Sequence, residues 1–270
     1  MISFPPSKIN LGLHILRKRN DGYHELETCF YPVPWTDVLE IVRSADFSFE
    51  CSGTIIPGSS QDNLCVKAYN LLKNDFNIGA VRIHLHKVIP TGAGLGGGSS
   101  DGAHTLRLLN LIFDLKLSDD VLMRYAAALG SDCSFFVKEF AMLGRGRGEI
   151  LRPVSVSLAG KYLVLLKPDI HVSTANAYGG IRPRVPHETL HEILARPLPA
   201  WKDHLSNDFE ETVFAAHHRL SEIKKMLYEK GALYAAMSGS GSTLFGIFDN
   251  EPRFDALTSD ITVWGDWMKS

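Results

Sequence analysis

Pro90-Thr91-Gly92-Ala93-Gly94-Leu95-Gly96-Gly97-Gly98-Ser99-Ser100-Asp101 places five glycines within seven residues, directly before a helix-period stretch from Ser99 to Leu115. Residues without a Cβ let the backbone approach a ligand closely, while the unpaired amides and positive end of a helix attract anions. The stretch therefore reads as a phosphate cradle. A flexible, ligand-free turn seldom needs so many glycines at a helix start, and Leu95 inside the run points to a packed loop.

Two nucleotide motifs compete for the same residues. Gly92, Gly94 and Gly97 satisfy G-x-G-x-x-G, with Asp114 about 20 residues on, but that match is weak alone. The preceding strand is half polar (Arg82, His84, His86), and Lys87 and Pro90 interrupt its end, whereas a dinucleotide-binding strand is buried on both faces. No Gly-Lys-Ser/Thr follows the glycines, so the P-loop of the Walker type fails as well.

Outward from the loop, Ser7 to Leu16 alternates strictly: Ile9, Leu11, Leu13 and Ile15 are apolar, while Lys8, Asn10, Gly12 and His14 are polar or small. This predicts a strand with one buried face, Lys8 and Asn10 sharing the other. Asn20-Asp21-Gly22 is a turn, followed by extended runs at 37–42 and 46–51 that begin an antiparallel sheet. Asp62 is placed to cap a helix carrying Leu64, Ala68, Leu71 and Leu72; Val81 to Ile89 alternates again; Ser118 opens a helix that ends near Gly130. Beyond the turn-rich Gly144–Gly148 and a crossover near Pro153, Tyr162 to Leu166 reads as a buried strand. Short helices follow between Thr174 and Arg196, then one long helix from Asn207 or Asp208 with Phe209, Val213, Leu220, Ile223 and Leu227. Strands at 233–237 and 243–248, joined by Ser238–Ser242, come last. Strands followed by helices predict an α+β protein of two domains, 1–153 and 154–270.

The chain has 270 residues, 45% hydrophobic and 21% charged, enough to bury one large core or two moderate ones. A formal net charge of -2 gives no basic excess to neutralise nucleic acid or an anionic membrane, so phosphate must be bound by a local site. The four cysteines (Cys29, Cys51, Cys65, Cys133) form no C-x-x-C pair and no zinc-spaced cluster, and read as buried thiols in a reducing compartment. His84 and His86 share a strand face without a third ligand, and His217-His218 suggest nothing catalytic. No signal peptide and no apolar run of about 18 residues appears, which predicts a cytoplasmic protein.

The glycine loop resembles the phosphate loop of the GHMP kinase superfamily, P-x-G-x-G-L-G-x-S-S/A. Further matching motifs stand in order along nearly the whole chain: Pro6-Ser7-Lys8-Ile9-Asn10-Leu11, Asp21-Gly22-Tyr23-His24-Glu25-Leu26, Leu129-Gly130-Ser131-Asp132, Gly146-Arg147-Gly148-Glu149, Asn207-Asp208-Phe209-Glu210 and Met237–Ser242. An ordered set is far more specific than one loop. The resemblance implies an S5-like amino-terminal and a ferredoxin-like carboxy-terminal domain with the active site in the cleft between them. It implies ATP as phosphate donor with Mg²⁺. The ATP phosphates would lie on Pro90, Thr91, Gly92, Ala93, Gly94, Leu95, Gly96, Gly97, Gly98, Ser99 and Ser100, and Lys8 and Asp132 would be catalytic. It also implies that the acceptor is the 2-hydroxyl of 4-(cytidine 5'-diphospho)-2-C-methyl-D-erythritol, in non-mevalonate isoprenoid precursor synthesis. Gly102 stands where the family usually has alanine, and Ser134 where proline is common; both bear on local rigidity.

Within that frame each requirement of phosphoryl transfer has a candidate. Amides of Gly94–Gly98 would hold the phosphates, with Ser99 or Ser100 as a possible Mg²⁺ contact. Asp132 would take the acceptor proton, late and in concert with transfer, because a carboxylate cannot ionise a far less acidic alcohol beforehand. Lys8 would keep Asp132 ionised and stabilise charge on the attacking oxygen, and Asn10 would orient the hydroxyl. Tyr23 and His24 resemble the family's cytosine-recognising pair, with Tyr178 as an opposing aromatic face. Asn63 serves either to reach the adenine or simply to cap a helix, and the Ser238–Ser242 loop either donates amides to the substrate diphosphate or only joins two strands. The expected partners are the small-molecule alcohol and ATP, with no nucleic acid or membrane, in a monomer or weak homodimer. A GHMP kinase of homoserine or mevalonate type, or a nucleotide-binding regulator without transferase activity, are the alternatives.

Overall fold

The computed structural model describes residues 1–254 and 257–269. A two-residue strand β1 (Ile2–Ser3) precedes β2 (Pro6–Lys18), which covers the predicted strand with margins at both ends. Its alternation does not translate into one wet face: every residue from Ser7 to Ile15 is buried, Lys8, Asn10 and His14 included. A period of two reports polarity, not exposure, and polar groups are buried where they find partners.

The remaining elements are β3 (His24–Thr36), β4 (Val38–Arg43), β5 (Ser48–Gly53), α1 (Leu64–Phe76), β6 (Val81–Lys87), α2 (Gly97–Ile112), α3 (Asp119–Leu129), α4 (Phe135–Lys138), β7 (Met142–Gly146), β8 (Ile150–Pro153) and β9 (Tyr162–Pro168), then α5 (Thr174–Gly179), α6 (Leu190–Leu194), α7 (Trp201–His204), α8 (Phe209–Ala216), α9 (His218–Glu229), β10 (Tyr234–Met237), β11 (Leu244–Phe248) and β12 (Ile261–Trp267).

The chain divides into two compact units that interleave along the sequence. The first comprises residues 1–8, 32–91 and 96–140. Its sheet has the order β1-β4-β6-β5, and β5 runs parallel to β6, so the sheet is mixed, not antiparallel as the sequence suggested. α1, α2, α3 and α4 pack among themselves, and α2 also packs on β4, with Leu39, Ile41, Leu106 and Leu109 fully buried. α1 is capped by Asn63, whose Oδ1 accepts from the Cys65 amide at 2.9 Å; the predicted cap, Asp62, lies one residue earlier in a short 3-10 turn. Ser118 and Gly130 bound α3 as expected. Lys87 does not interrupt β6: it is the strand's last residue and faces inward, 2% exposed.

The two departures from the family pattern lie in this unit. A Cβ on Gly102 would come 3.0 Å from the Leu64 Cβ, so glycine is what lets α1 and α2 approach there. Ser134 donates from Oγ to the Met123 carbonyl at 2.9 Å, fastening the start of α4 to α3 by a hydrogen bond.

The second unit comprises 9–31, 92–95 and 141–270. A single division at 153/154 does not follow these units, because β3 pairs with β7 (Leu26 opposite Gly146), drawing an early stretch of chain into the later unit. One sheet has the order β2-β3-β7-β8; the other, β10-β11-β9-β12, is antiparallel throughout. The turn-rich Gly144–Gly148 is the end of β7 and its turn into β8. β12, half exposed and without a clean alternation, is an edge strand the sequence did not announce. The expected long helix is two, α8 and α9, broken at His217 (φ -135°, ψ 75°). Val213 and Leu220 stand seven residues apart, in phase for one continuous helix, so periodicity does not reveal the break. Both helices bury their apolar residues (Phe209, Val213, Leu220, Ile223, Leu227) in one core with β9, β10 and β11; each such side chain contributes about 1.5–3 kcal/mol.

Three of the four cysteines are buried as expected, but Cys51 on β5 is exposed. Burial pushes the Cys29 and Cys133 thiols up to about 12 and also raises Cys65. The native protein should therefore titrate one thiol with an aromatic disulfide reagent and four after denaturation. A native count of two or more would contradict this burial.

Candidate active site

The chain has no free choice of residue at the start of α2. Gly96 is the cap residue, in the left-handed region (φ +69°), and no side chain caps the helix. Its first-turn amides are thus left for an external acceptor. A Cβ on Gly96 would meet Phe136 Cζ at 2.9 Å and Lys8 Cγ at 3.1 Å, so the Lys8 stem lies against this backbone. Lys8 Nζ stands 3.4 Å from Asp132 Oδ2; the lysine side chain is 4% exposed and the aspartate 29%. Burial pulls the Lys8 ammonium below the ordinary lysine range, and the Asp132 carboxylate opposes that pull. A buried cation, a carboxylate partly open to solvent and a row of amides thus occur together in the first unit.

Within the loop Ala93 and Leu95 are buried, Thr91, Gly92 and Gly98 are exposed, and Pro90, Gly94, Gly96 and Ser99 are intermediate. Gly97 and Ser100 are buried, and the Ser100 Oγ is enclosed without a hydrogen-bond partner, so of the two serines only Ser99 presents its side to solvent. Among the described residues no group of three or more His, Cys, Asp or Glu is assembled to hold a metal ion. Beside α1, a cavity of about 300 Å³ is lined by Phe49, Cys51, Ile55, Ile56, Ser60 and Asn63. Asn63 therefore caps α1 and borders a cavity at once. His84 and His86 share Ser52 Oγ, at 2.9 Å each, on the solvent side of β6.

In the second unit, Asn10 donates from Nδ2 to Thr28 Oγ1 at 2.9 Å, and Thr28 donates in turn to the Gly12 carbonyl at 2.6 Å, which fixes the amide's orientation. The Ser238–Ser242 loop is more than a strand connection. Ser238 donates from Oγ to the Gly94 carbonyl at 2.8 Å, and the Thr243 amide donates to the Ala93 carbonyl at 3.2 Å. Asn207 holds that loop by donating from Nδ2 to the Met237 and Gly239 carbonyls at 2.7 and 2.8 Å. Asp208 accepts from the Ile15 amide at 2.7 Å. The sequence marked the Asn207-Asp208 motif only as a helix start and a resemblance; its anchoring of the loop depends on contacts 30 and 32 residues distant.

Tyr23 is 56% exposed beside the Asn20–Gly22 turn, with the Arg147 guanidinium 4.8 Å from its ring centroid. Tyr178 does not stand opposite an open slot: its ring stacks on His24 at 4.8 Å and 18°, and packs edge-on to Phe209. Partial burial, then the Lys18 ammonium, lower the His24 pKa, leaving a neutral imidazole with one donor and one acceptor at pH 7.

Family models for the GHMP kinases N terminal domain and the GHMP kinases C terminal region match residues 63–139 and 189–262. This chain belongs to the GHMP kinase family. A protein of Cytophaga hutchinsonii named 4-diphosphocytidyl-2-C-methyl-D-erythritol kinase is 50% identical over 263 residues, covering 97% of each chain. A Bacteroides fragilis protein of the same name is 52% identical over 261 residues, 95% of each. Among solved structures, a 4-(cytidine 5'-diphospho)-2C-methyl-D-erythritol kinase superposes with a TM-score of 0.77 at 33% identity, over 92% of this chain and 90% of that one. The chain is accordingly an enzyme, a kinase with the α+β GHMP fold. Among the described residues no helix is long and apolar enough to cross a membrane.

Proposed function

We propose that this kinase transfers the γ-phosphoryl group of ATP to the 2-hydroxyl of 4-(cytidine 5'-diphospho)-2-C-methyl-D-erythritol, a step of non-mevalonate isoprenoid precursor synthesis carried out in the cytoplasm. The observation that carries this reading is the Lys8–Asp132 pair, 3.4 Å apart, with the Lys8 stem packed on the uncapped start of α2. The relatives' shared name supplies the acceptor.

The amides of Gly97, Gly98 and Ser99 would hold the phosphate oxygens at the positive end of a 16-residue helix. Asp132, open to solvent on one side, accepts the hydroxyl proton as the oxygen–phosphorus bond forms. Lys8 holds that carboxylate in place and offsets negative charge on the attacking oxygen. The adenine would occupy the cavity beside Asn63, whose amide nitrogen is not used in capping Cys65. Asn10, already oriented by Thr28, would meet the acceptor alcohol. For cytosine, His24 offers one donor and one acceptor, and the Tyr178 ring must part from His24 for a base to stack on it. Mg²⁺, when bound, would neutralise phosphate charge, and Ser99 is the serine exposed enough to contact it.

Purified protein supplied with ATP, Mg²⁺ and, separately, the cytidylyl alcohol, mevalonate, homoserine and galactose should release ADP with the first at least a hundredfold faster than with the others. Preference for another alcohol would overturn the acceptor assignment, and ATP binding without turnover on any of them would favour a regulator.

A further inference from the structure

Beneath the glycine loop lies a charge cluster that the chemistry above does not use. Lys87 Nζ pairs with Asp37 and, at 2.9 Å, with Asp101, and the three side chains are 0–3% exposed. Asp37 also accepts, at its other oxygen, from the Val88 amide at 2.6 Å and the Ile89 amide at 2.9 Å. Asp101 belongs to α2, and a Cβ on Gly97, the first residue of that helix, would lie 3.1 Å from Lys87 Nζ. The cluster thus grips both feet of the glycine loop: the backbone that enters it at 88–89 and the helix that leaves it.

Such a cluster is a poor source of net stability. Desolvating three charges costs several kcal/mol each, and well-packed apolar residues often replace buried ion pairs without loss. What it does supply is registry, because three partners fix β6 and α2 relative to each other along more than one direction, whereas apolar contacts tolerate sliding. Burial by itself would lower the Lys87 pKa, but Asp101 and Asp37 outweigh it and the ammonium is held charged.

We propose that Lys87, bridged to Asp37 and Asp101, is a positioning residue for the nucleotide: it sets the spacing and height of the first α2 amides and so determines how tightly the triphosphate is gripped. This rests on the assignment of the loop to ATP. The bridge acts on the donor side alone, so its removal should weaken ATP and leave the alcohol and the chemical step unaffected.

The test uses the full-length Lys87→Met/Asp101→Asn variant. It removes the bridge by taking out the cation and one carboxyl group together, and leaves Asp37 its two amide donors, so no second carboxylate is stranded. The expected result is a KM for ATP raised at least about tenfold, with kcat and the KM for the cytidylyl alcohol within about twofold of the parent. Equilibrium ATP binding should weaken by the same factor. A merely structural role would lower the melting temperature and the active fraction without separating KM from kcat. An unchanged ATP affinity in the folded variant, or equal losses for both substrates, would overturn the proposal. If the double variant is unfolded, Asp101→Asn alone is measured by the same criteria. Failure of the parent protein to bind ATP would instead refute the underlying assignment of the loop.

Discussion

Asp132→Asn is expected to reduce kcat at least about a hundredfold while the protein stays folded. Asn preserves the shape of the side chain and its Oδ1 can still accept from Lys8 Nζ, 3.4 Å away from the carboxylate in the parent. It cannot take a proton from the acceptor hydroxyl, the role proposed for Asp132, and the loss of a positioned general base is worth about 10²–10⁴-fold; a hundredfold corresponds to about 2.7 kcal/mol of barrier. Lys8→Ala should produce a loss of the same order for the complementary reason. The ammonium proposed to offset charge on the attacking oxygen is gone, while Asp132, already 29% exposed, can be solvated in its place. If the two groups act as the proposed unit, the double variant should be scarcely slower than the worse single one. Steady-state rates at saturating ATP and alcohol, with circular dichroism of each variant, check all three. A folded variant with near-normal turnover would remove that residue from the mechanism.

Gly94→Ala should be the most damaging single substitution in the loop, destabilising the protein by more than about 3 kcal/mol. Gly94 has φ +77°, a conformation that costs any residue with a Cβ about 1–2 kcal/mol. The added methyl would also lie 2.1 Å from the Ser238 carbonyl oxygen and 3.1 Å from that of Gly241, backbone atoms that cannot swing aside as a flexible side chain can. Relief would require breaking the Ser238–Gly94 and Thr243–Ala93 hydrogen bonds, each worth about 1 kcal/mol. Denaturant melts should show a lower midpoint with an unchanged slope. Gly98→Ala, whose Cβ would meet nothing within 4 Å, should by contrast melt close to the parent. Equal midpoints for Gly94→Ala and the parent would mean that the loop does not hold this conformation.

The sequence by itself determined the features that depend on neighbouring residues. The period-2 runs became β2 and β6, and the short apolar runs became β9, β10 and β11; Ser118 and Gly130 bounded α3; and five glycines before a helical stretch became an uncapped helix start. The motifs in order also gave the family. Tertiary structure alone decided which polar groups are buried and what they face. Lys8 and Lys87 both occur at the ends of alternating runs and look alike in the sequence. One proves to be paired with a partly exposed aspartate, the other with two aspartates 50 and 14 residues away in the dry interior. The same holds for Asn207, whose carbonyl partners lie some 30 residues on, and for β3, whose pairing with β7 carries residues 24–31 into the later unit. Periodicity encodes which side of an element is apolar, because that depends on residues two to four apart. The partner of a buried charge is chosen by long-range chain closure, and only the folded arrangement specifies it.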